Sequence, residues 1–406
     1  MSTGIFSTNN LTQDLAQKSF AGMITRLMPN GTAPLFAMTS MLPSEIAVQT
    51  EHGFFTKTML FPQMTVSAAG QVAADAIFTV GSTANILPGM IMRVNTTGEN
   101  IIINNVISPT QVGVTRAVGT VAAANIAANV NLYQVGNAFE EGSVRPSALV
   151  INPVRVTNLT QIFRNTWAIT DTIRATLMIA GETNLAESRQ DCAAFHAADI
   201  EKALLFGQKS SGTRNGQPFR TMDGLINIVG NLTYYPPSYG AANVTTAGGT
   251  TNYTQLEAML DPVFNQTTDP KVANERVLFT GGTGKKVLNN IGRLNGTYYM
   301  VDGQTSWGLQ FSTFKTARGT FRVIEHPLFN SNTDWSAMAV AVDLSSFRVA
   351  YLGDRKTQNK EFNADMDAND NGIDAVGGTL TTEMTTVVKN PPANAVIYGL
   401  IAGAAG

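Results

Sequence analysis

The run from Thr183 to Gly207 constrains this chain more than any other stretch. It holds no proline, and no glycine until Gly207, which stands where a helix stop belongs. Asn184 followed by Glu187 offers a capping pair at its start. At about 100° per residue, Leu185, Cys192, Ala193, His196, Ile200, Ala203 and Leu204 fall on one side, interrupted by Arg189. Glu187, Asp191 and Glu201 fall on the other. The spacing predicts one helix of about 35 Å, long against a mean of ~11–12 residues. Ile200 and Leu204 are expected to be buried against strands within 149–170 and 346–389, and Glu201 to face away.

At 406 residues the chain exceeds the ~250–300 at which one core stops growing, so two or more lobes are expected. Charged residues are 14 % against a usual ~25 %. Asn, Thr, Ser and Gly take their place, and a large, weakly charged surface suits burial against copies of itself. The net charge of −2 and the lack of a basic stripe argue against a dedicated nucleic-acid binder. No membrane span is expected: Ala395 to Gly406, the most apolar terminal stretch, falls short of the ~20 residues needed. The single cysteine, Cys192, rules out an intrachain disulfide and fits a reducing compartment. Residues 1–30 lack the basic and continuous apolar segments of a signal peptide, so use without export is the expectation.

Residues 1–49 read as an arm. Leu11, Leu15, Met23, Ile24 and Leu27 fit an amphipathic helix ending before Pro29, and Asn30-Gly31, Pro34 and Pro43 punctuate an extended run after it. Within 50–148, the stretch 54–62 is a strand. From 76 to 136, short β-rich runs (76–80, 90–94, 101–107, 112–118, 130–135) alternate with turn signals such as Pro88-Gly89 and Thr97-Gly98. This spacing predicts a small barrel or sandwich, carried on a long hairpin with legs 54–62 and 137–148.

Residues 149–224 hold β-rich sequence up to 170, the long helix, and a flexible polar loop at 208–218. A second lobe, 225–345, is expected to contain a helix capped by Thr254 and Glu257, a strand at 276–280 and a helix from Thr283. A hairpin of 308–316 and 320–324 and a buried strand at 338–343 complete it. The region 346–406 closes with a strand at 346–352, an Asn/Asp loop at 363–378 and a strand at 380–389. The fold class is α+β.

Candidate chemistry is sparse. Cys192 and His196, four apart on one helix face, have the spacing of a half metal site, but no second pair is present, and core packing is the preferred reading. Glu51-His52 and Glu325-His326 are drawn readily as acid–base pairs, yet neighbours in a strand point to opposite faces. RVLFTGGTGKKV (276–287) mimics a phosphate loop, but Phe279 and Lys286 stand where glycine and a hydroxyl are required. Asp367, Asn369, Asn371 and Gly372 match the start of a calcium loop, with Asp374 beyond; position 12 is Gly378 instead of a bidentate Glu, and an Asx-rich turn is preferred. Arg145, Arg155, Arg164, Arg174 and Arg189 suit pairing with acids on a neighbouring copy, or weak contact with phosphates. No catalytic, cofactor-binding or metal-binding set is expected.

The order of parts resembles the major capsid proteins of tailed phages, which share the Hong Kong ninety-seven phage fold with encapsulins. NAFEEGSVRP (137–146), NLTQIFRNTWAITDT (158–172), DIEKALLFGQ (199–208) and FKTARGTFRVIEHPLF (314–329) resemble the SU-ten-like major head proteins. TTGENIIINNV, from Thr96, is similar to the β insert many of them carry. The resemblance implies an N-terminal arm (1–49), an E-loop (50–148) with a β-barrel-like insert (76–136), and a P-domain (149–224) whose spine helix is 183–207. It further implies an A-domain (225–345) and P-domain return strands (346–406). The implied function is self-assembly into hexamers and pentamers of an icosahedral shell around double-stranded DNA. Implied partners are further copies, portal, scaffolding and cement proteins, with no cofactor and no enzymatic activity. The alternatives are an encapsulin-like compartment on the same fold, or a β-rich phage tail or surface protein.

Overall fold

The computed structural model describes residues 33–57, 62–67, 69–150, 152–176, 184–235, 241–266, 274–294, 301–306, 309–363 and 375–402. The expected arm helix within 11–27 and the calcium-like stretch from Asp367 to Asp374 lie outside them. The chain divides into two compact units, Phe55–Val154 and the residues on either side of it.

Helix α1 (Pro34–Met41) replaces the extended run expected there. Pro34 starts it without harm, because a first-turn residue has no intrahelical acceptor for an N–H and proline's φ already suits a helix. Leu35 and Met38 are buried. Strands β1 (Glu45–Ala47) and β2 (Glu51–Thr56) follow.

The 55–154 unit contains β3 (Gln63–Thr65), β4 (Ile77–Thr79), β5 (Met90–Val94), β6 (Asn100–Ser108), β7 (Gln111–Thr115) and β8 (Asn131–Asn137). They pair in the order β3-β8-β5-β6-β7-β4. A bridge between Val66 and Val80, flanked by Ser67 N–H to Thr79 O and Gly81 N–H to Thr65 O, joins the two ends. The sheet therefore closes on itself and leaves no free edge in this ring. Its inward residues, among them Phe78, Met92, Ile101, Ile103 and Leu132, form a core of their own. Met64 belongs to that core, so the barrel starts before the expected boundary at 76. Glu99 is buried at its end. Arg116 donates to both carboxylate oxygens at 2.7 and 2.6 Å, and Ala117 N–H adds a third bond. Burial pushes the Glu99 carboxyl up, but the bonds from Arg116 and Ala117 outweigh it and hold it below the usual range.

Residues 137–148 are not the second leg of a hairpin. After β8 Ala138 N–H donates to Gly89 O, the chain turns at Gly142 (φ +77°), Ser143 N–H donates to Glu140 O, and 138–150 is exposed and belongs to no strand. Pro146 and the Glu-Glu-Gly-Ser run interrupt any ladder there. The strand that pairs with β2 is β9 (Val154–Leu159).

β10 (Gln161–Thr170) and the short α2 (Asp171–Ala175) lead to α3 (Asn184–Phe206), the expected long helix. The side chain of Asn184, and with it the expected capping pair, is outside the described atoms. Cys192, His196, Ile200 and Leu204 form a buried stripe at four-residue spacing, while Ala193 is exposed. In the last turns Glu201 and Leu205 are buried too. Beyond Gly207 the expected loop is a hairpin, β11 (Ser210–Arg214) with β12 (Gln217–Thr221). Asn215 (φ +53°) and Gly216 (φ +73°) make the left-handed pair a two-residue hairpin turn demands. Helix α4 (Leu225–Gly230) follows.

Then come β13 (Val244–Thr246), β14 (Thr250–Thr251) and α5 (Tyr253–Leu260). The cap of α5 is Asn252 with Gln255, each side chain taking the other's backbone N–H, instead of Thr254 with Glu257. β15 (Glu275–Thr280), α6 (Gly282–Leu294), β16 (Val301–Ser306), β17 (Leu309–Lys315), β18 (Thr320–Glu325), α7 (Thr333–Ser336) and β19 (Ala339–Val342) follow. The chain ends through β20 (Phe347–Leu352), β21 (Gln358–Asn363), β22 (Ala375–Val388), β23 (Ala395–Tyr398) and β24 (Ile401–Ala402).

Two sheets organise this unit. The seven-stranded one runs β13-β23-β19-β15-β18-β17-β16, and its central strands β23, β19 and β15 are buried on both faces. Leu278, Val323, Ala341 and Ile397 pack with Leu256 and Leu260 of α5 and Val287 and Ile291 of α6. Val277, Phe279, Ile324 and Val340, on alternate positions, enter the core shared with α3. The other sheet runs β1-β20-β22-β10, with β21 also on β22. α3 lies on it: Ile200, Leu204 and Leu205 share a core with Phe163, Phe347, Val349, Met384 and Val388. The expected burial of Ile200 and Leu204 against these strands is thus found. β22 starts at Ala375, inside the stretch read as loop. Its glycines misled: a Cβ on Gly378 would come within 2.6 Å of the Trp167 ring, so the strand needs a glycine for packing, not for a turn.

Candidate functional site

Among the described residues, three clusters of buried polar and ionisable side chains lie on or beside α3 and β22, and each braces elements of the fold. The first corrects an expectation. Glu201, placed on the outer side of α3, is fully buried. Its Oε1 accepts from Leu35 N–H at 2.8 Å and its Oε2 from Phe36 N–H at 2.7 Å. His326 Nδ1 accepts from Leu328 N–H at 3.3 Å, so the ring proton sits on Nε2 and is given to Glu201 Oε1 at 2.6 Å. A carboxylate on α3 thereby caps the first turn of α1, whose amides have no intrahelical acceptor.

The second lies higher on α3. Asn165 Nδ2 donates to Asp199 Oδ2 at 3.0 Å, so its Oδ1 faces His196 and accepts from Nδ1–H at 2.7 Å. His196 Nε2 then accepts from the Thr382 hydroxyl at 2.8 Å, and Thr382 in turn takes the Thr357 hydroxyl at 2.8 Å. Burial lowers the His196 pKa, against the opposing pull of Asp199. Both ring nitrogens are engaged, which leaves none for a metal beside Cys192. Burial raises the pKa of the Cys192 thiol, so it is a packed and unreactive group.

The third is Glu383 on β22, with Arg355 at 2.7 Å, Arg220 at 3.5 Å and the Thr160 hydroxyl at 3.0 Å. It ties Thr160 at the β9–β10 junction, β12 and the turn before β21 to β22. Sequence reading missed it, as it missed Arg276, which is buried and donates to the carbonyls of Ala393 and Val263.

The remaining candidates do not converge. His52 pairs with Glu45, not with Glu51, which meets Arg155 and Lys209. Glu325 pairs with Lys285 and points away from His326. In the phosphate-loop mimic, the first amides of α6 are already taken: Gly282 N–H by Asn330 Oδ1 at 2.7 Å, Thr283 N–H by Ser336 Oγ at 3.1 Å. These two amides are used within the chain, which argues against an anion cradle there. Arg155, Arg174 and Arg189 pair within the chain, with Glu51, Asp171 and Glu361, and Arg189 also stacks on Trp167. Arg145 and Arg164 are exposed. Among the described residues no three His, Cys, Asp or Glu side chains are grouped to hold a metal. A recess of about 10 Å³, lined by His52, Phe54, Asn158, Tyr234 and Val387, has room for one water.

A sequence profile described as the SU10 major capsid protein matches residues 3–401. The chain is 40 % identical to the major capsid protein of Pseudomonas phage PaMx41, over 98 % of this chain and 96 % of that one. Solved structures of similar shape include one from Mycobacterium phage Bobi, with a TM-score of 0.46 at 11 % identity over 97 % of this chain and 98 % of that chain. Another is the SrpI encapsulin complex of Synechococcus elongatus PCC 7942, with a TM-score of 0.43 at 11 % identity over 62 % of this chain and 78 % of that chain. The sequence matches carry the assignment. With its buried charges spent on bracing helices and strands, the chain belongs to the SU10 major capsid protein family, structural proteins of the virion that form the shell of the phage head and are not enzymes.

Proposed function

We propose that this protein assembles as hexamers and pentamers that tile an icosahedral shell around packaged double-stranded DNA. In this reading the fold is of the Hong Kong ninety-seven type. Residues 1–49 are the N-terminal arm, and 50–148 the E-loop, with the barrel as its insert. The P-domain is 149–224 with 346–406, α3 being its spine, and the A-domain is 225–345. The observation that carries the reading is the 40 % identity to a phage major capsid protein along almost the whole of both chains.

Exposed Arg145 and Arg164 suit pairing with acids on a neighbouring copy. With a net charge of −2, contact with DNA is weak and independent of sequence. Portal, scaffolding and cement proteins are the further partners of this reading. Sedimentation and negative-stain imaging of the purified full-length chain test it. Closed shells are the expected product. Rods or persistent monomers would overturn it, and small shells loaded with a protein cargo would favour a compartment of the encapsulin kind.

A further inference from the structure

We propose that α1 is seated in cis on the Glu201–His326 pair, so that it is a fixed root of each subunit and not an element exchanged between copies. Three anchors in succession support this. Leu35 and Met38 enter the main core beside Ile200 and Leu204. The amides of Leu35 and Phe36 are held by Glu201. Only Leu42, Pro43 and Ser44 then separate α1 from β1, a link that spans about 14 Å at most between Met41 and Glu45.

β1 is itself pinned. It pairs in parallel with β20, from Glu45 opposite Ala350 to Ala47 opposite Leu352, and Gly353 N–H donates to Ala47 O at 3.0 Å. Ala47 is buried with Ala350 and Val387, and Glu45 is held by Lys389 and His52. Moving α1 to a second copy would therefore break β1 out of its sheet as well. It would also strand a buried carboxylate with one donor in place of three. The chain before Ala33 thus starts from a fixed point beside the last turns of α3.

The amides of Leu35 and Phe36 report on this contact directly. As first-turn amides they have no helical acceptor, so their protection from exchange comes from Glu201 alone. Hydrogen exchange of the full-length subunit, kept dilute and unassembled, reads it. The expected result is protection of the 33–41 peptide in the free subunit, with exchange at least about tenfold faster in Glu201→Ala. The 375–388 peptide of β22 serves as the internal control and stays protected. Glu201→Gln keeps one acceptor oxygen and should lose protection at one of the two amides only. A peptide that exchanges freely in the dilute subunit and becomes protected only on assembly would overturn the proposal. So would assembly restored by mixing Glu201→Ala subunits with subunits lacking residues 1–41, since an exchanged α1 would find an intact receptor in such a mixture.

Discussion

Glu201 and Leu204 stand three residues apart near the end of α3, and the two side chains are equally buried. Leu204→Asp removes packing worth about 2–5 kcal/mol and leaves an unpaired charge in the core, so the subunit should fail to fold. Glu201→Ala leaves three donors without an acceptor, at about 1–3 kcal/mol for each group left unmade. It should lower the melting temperature by several degrees, about 2–4 °C for each kcal/mol lost. Circular dichroism melts measure both, and an unchanged Tm for Glu201→Ala would contradict the buried pairing. The burial of Ile200 and Leu204 was legible from their four-residue spacing. Glu201 was misplaced because a helix was assumed to have one polar side. Leu205, four residues on from Glu201, was the available signal that this side is covered as well.

His196 adds a dependence on pH. Burial places its folded pKa below the unfolded value of about 6.5. The unfolded chain therefore takes up its proton first as the pH falls. The stabilisation is complete above about 6.5 and is lost as the pH falls towards the folded pKa. The Tm should begin to fall as the pH drops below about 6.5, before ordinary carboxylates titrate. His196→Gln should lower the Tm at neutral pH and flatten that slope. An equal slope in the variant would show that another group carries it.

At the scale of elements, the barrel is the part most open to a direct test. Its ring is closed and its core is its own, so a fragment from 62 to 138 should fold alone and melt cooperatively with a β-type spectrum. A disordered fragment would contradict that. Excision at 76–136 would leave β3 and its core residue Met64 behind, and the cut belongs before Gln63. Strand positions in this region were readable because Pro-Gly and Thr-Gly turns separate β-branched runs. Strand partners were not. Which leg β2 takes depends on hydrogen bonding across about a hundred residues, and local composition at 137–148 carries no record of it. The same limit applies to the hairpin of β11 and β12. Its Gly212 and Pro218 are residues disfavoured in strands, and only the Asn215-Gly216 pair signals the turn.

For the whole molecule, the α+β class and the order of a strand-rich region followed by a long helix were legible in the spacing of apolar residues. The residues 1–32 and 364–374, where the arm and the calcium-like turn were read, lie outside the described structure. The absence of a catalytic constellation in the sequence agrees with membership of a structural family. Among the described residues, the buried Glu201 and Glu383 hold α1, α3 and β22 to their neighbours. The most direct test of this account is a cryo-electron microscopy reconstruction of particles assembled from the full-length chain. The account predicts a closed shell of hexamers and pentamers, with α3 packed on the β10–β22 sheet and α1 on the Glu201 of its own subunit. An open lattice, or density in which α1 crosses to the neighbouring copy, would contradict it.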